Sequence, residues 1–143
     1  MKNTLVITYV IFQRGILMKN KNVMVCVTQQ KTCERLIVSG YSMLNKKTDK
    51  LFVIHVVNEK DNFLNNESDG EALEYLFNVS KKVGADLTVL RSKDVEITME
   101  EFAKKNDITH ILMGASPNSD GFENQNITIK LKNALTNVEF IIL

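Results

Sequence analysis

Few side chains in this sequence could do chemistry, and their spacing narrows what that chemistry is. Cys26 and Cys33 are the thiols and His55 and His110 the imidazoles. Two cysteines and two histidines this far apart form no recognisable zinc spacing. Cys33 falls near the start of an expected helix, where a thiol pKa can drop. It also shares an apolar helical stripe with Leu36 and Ile37, so a small buried residue is the favoured reading. Both histidines sit inside apolar runs and read as hydrogen-bonded structural side chains, and Glu100 and Glu101 read as a solvated helix face. No set of Ser, His and Asp and no pair of carboxylates can be brought together by spacing. A hydrolase would need a base or a metal-holding carboxylate facing its substrate, and only Asp120 and Glu123 in one polar loop offer that. The chain therefore reads as a binding protein and not as an enzyme.

Composition bounds the setting. A chain of 143 residues suits one domain with one core. Its 44% hydrophobic and 24% charged residues match the average of globular proteins, which argues against disorder or a fibre. Eighteen Lys and Arg face seventeen Asp and Glu, for a net charge of +1. The two signs are mixed along the chain, so there is no basic stripe of the kind that releases counterions from nucleic acid. Two cysteines are too few for a disulfide framework, which favours a reducing, cytoplasmic setting. The apolar run from Leu5 to Phe12 is broken by Gln13 and Arg14, well short of the ~20 residues that span a bilayer. Lys2 is the only early charge and no small-residue cleavage site follows, which argues against a secretory signal. Residues 1–20 read as an N-terminal extension, with Met18 as an alternative start, and residues 21–143 as the domain.

From Lys21 onward, strand-like runs alternate with helical periodicity. Val23 to Val27 is a continuous apolar run, as in a parallel strand buried on both faces. Cys33, Leu36, Ile37, Gly40 and Leu44 predict a helix to about Lys46, with Thr32 as its N-cap. Leu51 to Val57 predicts a second strand, and Asn58 to Glu67 a polar surface loop. Ser68 caps a helix with Ala72, Leu73, Leu76, Phe77 and Val83 on one face, stopped by Gly84. Leu87 to Leu90 is a third strand. Asp94 opens a third helix through Val95, Met99, Phe102 and Ala103, which ends on Lys104 and Lys105 as the helix dipole prefers. Ile108 to Met113 is a fourth strand, Gly114 to Gln125 a loop, and Ile127, Leu131, Ala134 and Leu135 mark a fourth helix. Val138 to Leu143 forms the fifth strand.

Five strands alternating with four helices predict an α/β fold: a three-layer, doubly wound, five-stranded parallel sheet with right-handed crossovers. In such sheets ligands bind outside the carboxyl ends of the strands, where the strand order reverses. With the first and fourth strands flanking that point, the site lies between Thr28 to Cys33 and Gly114 to Thr128.

Val25-Cys26-Val27-Thr28 and Cys33-Glu34-Arg35-Leu36-Ile37 resemble the universal stress protein domain of the potassium-sensing histidine kinase KdpD. Asp107 to Gly114 and Asn137 to Ile142 look like the last two strands of the same domain. The resemblance covers roughly Asn22 to Leu143 and implies strand order 3-2-1-4-5. It further implies a non-catalytic regulatory module in potassium or osmotic stress signalling, with ATP or cyclic di-AMP as ligand and a sensor kinase or potassium transporter component as partner. ATP-binding members of the family carry GxxG, followed after nine residues by Gly and Ser or Thr, a pattern that lets backbone amides approach phosphates. Here Gly114 is present, Pro117 stands at the second glycine, Ile127 at the third, and Thr128 at the hydroxyl. Pro117 lacks an N–H and fixes φ. The loop to Gln125 carries Asp120 and Glu123 and no Lys or Arg, so the resemblance implies weak or altered nucleotide binding. Lys31, Lys130 and Lys132 are the compensating cations. The cyclic di-AMP stretches SxS and FTAxY fall on Thr28 to Gln30 and on Leu51 to His55, where only Thr28 and His55 are chemically similar. The expected nucleotide-binding residues are Thr28, Lys31, Gly114, Ser116 and Thr128. The alternative is a degenerate domain that retains protein association alone. The family places the last strand at a sheet edge, and Phe140 to Leu143 is wholly apolar, which predicts a symmetric homodimer through Val138 to Leu143.

Overall fold

Three apolar runs become strands buried along most of their length, and two half-exposed runs become the strands at the edges of the sheet. They are β1 (Asn22–Cys26), β2 (Lys50–Asn58), β3 (Asp86–Ser92), β4 (His110–Met113) and β5 (Glu139–Ile142). The computed structural model describes residues 20–115 and 121–143, the side chains of 121–126 excepted. The expectations for Met18, Ser116, Pro117, Asp120 and the Glu123 side chain lie outside the described residues. The strands form one parallel sheet in the order β3-β2-β1-β4-β5, as expected.

Alternation along β1 splits the core into two layers. Val23, Val25 and Val27 face α1 (Gln30–Ser42) and α2 (Asp69–Lys82), packing with Leu36, Ile37, Ala72 and Leu76. Met24 and Cys26 face α3 (Val95–Lys105) and α4 (Gly121–Ala134), packing with Met99, Ala103, Leu131 and Leu135. α1 lies close against the sheet at Gly40. A Cβ there would stand 2.5 Å from Val25 Cγ2 and 3.1 Å from Leu51 Cδ1.

Register shapes the upper end of the sheet. Cys26 pairs with Ile54 on one side and Met113 on the other, so β1 and β4 end level. β2 runs on to Asn58 with only β3 beside it, Asn58 pairing with Ser92. The β2–β3 pair therefore stands above β1 and β4 as a wall.

Helix ends account for most departures from the sequence reading. α1 starts at Gln30, with Gln29 and not Thr32 in the capping position; Thr32 lies in the first turn and its hydroxyl donates to the Gln29 carbonyl at 3.2 Å. It ends at Ser42 instead of Lys46, because the Met43 and Leu44 amides close the last turn on Gly40 and Tyr41. α4 begins at Gly121, inside the stretch expected to be loop as far as Gln125, so Thr128 lies well past its first turn. The segment from Asn58 to Glu67 is not simply a surface loop: it holds a single 3-10 turn, Phe63–Asn65, that buries Leu64.

Two caps fall where expected. Ser68 Oγ accepts from the Glu71 amide and Asp94 accepts from the Ile97 amide, while Gly84 follows α2 with φ +68°. Ser68→Ala should cost about 1 kcal/mol, measurable by urea denaturation, since one first-turn amide loses its acceptor. No helix among the described residues is long and apolar enough to cross a membrane.

Candidate functional site

Where β1 and β4 end, the chain departs to opposite faces of the sheet, and a crevice of about 570 Å³ opens above them. Thr28 and Gln29 after β1 and Gly114 after β4 line it, with Val57 and Asn58 at the top of β2. Lys93 to Glu96 at the start of α3, and Ile127 and Lys130 of α4, form the far side. A volume of this size is ordinary for a small-molecule site, which commonly spans ~300 to 1,000 Å³.

His55 fixes one wall of the crevice. Its side chain is 1% exposed. The Leu64 amide donates to Nε2 at 2.9 Å, so Nε2 is unprotonated and the proton sits on Nδ1, which donates to the Val27 carbonyl at 2.7 Å. Burial holds the imidazole below its ordinary pKa, against a smaller opposing effect of the Val27 carbonyl. Phe63 meets the His55 ring edge-on at 5.9 Å, and the Arg91 guanidinium lies 4.1 Å from the centre of the Phe63 ring. Arg91 pairs with Asp69, whose other oxygen accepts from the Phe63 amide. Leu64 and Asn65 take left-handed φ values of 54° and 59°. This strap holds Asp61, Asn62 and Asn65 on the crevice wall.

At the opposite wall, Leu143 brackets Gly114. Its amide donates to the Met113 carbonyl at 2.9 Å, and its carbonyl accepts from the Ala115 amide. Gly114 is half-buried with a φ that is not positive, and among the described residues a Cβ there would meet only Leu36, at 3.4 Å.

The expected site residues separate in space. Thr28 and Gly114 face the same crevice, as the strand-order rule requires. Lys31 is exposed on the first turn of α1, outside the crevice lining. Thr128 turns its hydroxyl to the Met113 sulfur at 3.7 Å. Cys33 and Cys26 are buried thiols pushed up to about 12 by burial, in keeping with the structural reading of Cys33. His110 hydrogen-bonds to the Thr109 hydroxyl at 2.7 Å.

Sequence reasoning missed Asp61, Asn62, Asn65, Lys93, Asp94 and Glu96 as crevice residues. Phe63 and Leu64, alone in a polar stretch, were the available signal that this stretch folds back onto the sheet. Glu96 Oε2 lies 3.6 Å from Lys130 Nζ and joins α3 to α4 at the crevice. No group of three or more His, Cys, Asp or Glu among the described residues is arranged to hold a metal ion.

No protein-family model and no curated protein matches the chain. Solved structures do. A universal stress protein in complex with cAMP aligns with a TM-score of 0.63 at 11% identity, over 86% of this chain and 96% of that one. The fold is that of the universal stress proteins. The universal stress protein from Archaeoglobus fulgidus in complex with dAMP aligns at TM-score 0.52 and 15% identity, over 85% and 96% of the two chains. A universal stress family protein from Burkholderia pseudomallei aligns at 0.54 and 12%, over 85% and 95%. Nearly the whole length of each universal stress chain is matched, so no large element of that fold is missing here.

Proposed function

We propose that this chain is a non-enzymatic regulatory module that binds an adenine nucleotide in the crevice between Thr28 and Gly114. One observation carries the reading: the crevice opens at the strand-order reversal of a fold that two solved proteins share while holding cAMP and dAMP. The contacting set is Thr28, Gly114 and Ser116, with Thr128 and Lys31 reaching the ligand only if their side chains reorient. ATP or cyclic di-AMP binds weakly or in an altered pose, and the role is KdpD-like, in cytoplasmic potassium or osmotic signalling beside a sensor kinase or transporter component. Calorimetric titration of the full chain with cAMP, ATP and cyclic di-AMP tests the binding reading. Heat from at least one is expected, and silence for all three would overturn it.

A second reading, association without a ligand, is favoured by the open edge at β5. Ile142 and Leu143 are 42% and 41% exposed, and among the described residues no strand pairs with the outer side of β5. A symmetric homodimer through Val138 to Leu143 is expected in light scattering. A clean monomer at micromolar concentration would count decisively against it.

A further inference from the structure

We infer that the crevice favours an adenine ligand bearing a single phosphate group over a polyphosphate, with Glu96 setting that preference. The inference rests on the nucleotide reading above and narrows it to a ligand class. Size does not make the distinction, since about 570 Å³ admits either ligand. Charge does. Asp61, Asp94 and Glu96 line the crevice against Lys93 and Lys130, so the described lining carries one more negative charge than positive.

These groups are unequal in what they offer a phosphate. The Asp94 carboxylate is committed to the Ile97 amide as a helix cap. Lys130, which α4 contributes to the described crevice lining, is held by Glu96 at 3.6 Å. The Glu96 side chain is 22% exposed against 63% for Lys130, so the carboxylate is the better-shielded member of the pair. Lys93 has no ion-pair partner among the described residues and lies beside Asp94 at the mouth of α3. One phosphate group next to Lys93 is therefore compensated. A second or third must either displace Glu96 from Lys130 or sit uncompensated near carboxylates, which partial desolvation penalises. A divalent cation carried by the phosphates would relieve that repulsion, which is why the test excludes magnesium.

The test is calorimetric titration of the full chain and of Glu96→Gln with adenosine, AMP and ATP, in magnesium-free buffer at low salt. The wild-type chain should bind AMP at least as tightly as ATP. Glu96→Gln frees Lys130 and should tighten ATP by about fivefold, with adenosine unchanged within about twofold. Added salt should narrow the gap, because the charges are partly exposed. Wild-type preference for ATP over AMP by about tenfold or more would overturn the inference, as would an ATP-to-AMP ratio that Glu96→Gln leaves unmoved. In those outcomes adenine binding itself still stands. Silence toward all three ligands in both proteins removes the nucleotide reading and this inference together.

Discussion

His55→Leu is expected to destabilise the chain by about 2 to 5 kcal/mol, because the Val27 carbonyl and the Leu64 amide would both be left buried without partners. Urea denaturation at neutral pH measures it, and a loss below about 1 kcal/mol would mean the two bonds are replaced by water or by backbone movement. The same geometry sets a pH dependence. Nδ1 donates and Nε2 accepts, so only neutral imidazole satisfies both contacts; protonating Nε2 would set a second N–H against the Leu64 amide. Burial first, opposed by the Val27 carbonyl, places the folded pKa below the ordinary value of 6.5. With the folded value depressed, the unfolded chain takes up the proton more readily. The contribution of His55 is therefore complete above the unfolded pKa and is lost as pH falls through 6.5 toward the folded value. His55→Leu should lack this slope. Stability curves that stay parallel for the two proteins between about pH 7 and pH 5 would refute it.

Gly40→Val is expected to cost about 3 kcal/mol, at the upper end of ordinary overpacking, while Gly40→Ala should cost about 1 to 2 after its helix-propensity gain of about 1 is offset. The new Cβ would stand 2.5 Å from Val25 Cγ2 in the middle of the central strand. Val25 is β-branched, fully buried and stiff about χ1, so it cannot swing aside, and α1 must lift from β1 instead. Thermal unfolding of both variants checks this. A Gly40→Ala chain at least as stable as wild type would show that α1 shifts at little cost. The distinction between glycines matters here: Gly84 is fixed by its left-handed backbone and Gly40 by the absence of space beside it.

Much of the fold was legible because burial on both faces leaves a plain mark. The runs Val23 to Val27 and Leu51 to Val57 are apolar at nearly every position, and a surface strand would alternate. Ser68 and Asp94 were legible as caps because each places an oxygen three residues before an amide in need of one. Gln29 was not, since its side chain makes no capping bond and Thr32 looked the better candidate. Thr28 and Gly114 could be paired from topology alone. Glu96 and Lys130 could not, because they come from different crossovers and meet only after both helices pack on one face. The strap over His55 was hidden for a related reason. Leu64 lies nine residues from its partner, and its left-handed backbone is one that no propensity favours for leucine.

Leu143 grips the chain on either side of Gly114 from the edge of the sheet, so the crevice and the β5 edge share one residue's backbone. The two backbone bonds of Leu143 give a ligand at Gly114 and a strand added along β5 a common point of contact with the chain. Were the proposed nucleotide and the proposed dimer both to form, occupancy of the crevice and pairing at the edge would be reciprocal: whatever factor the one applied to the other, it would receive in return.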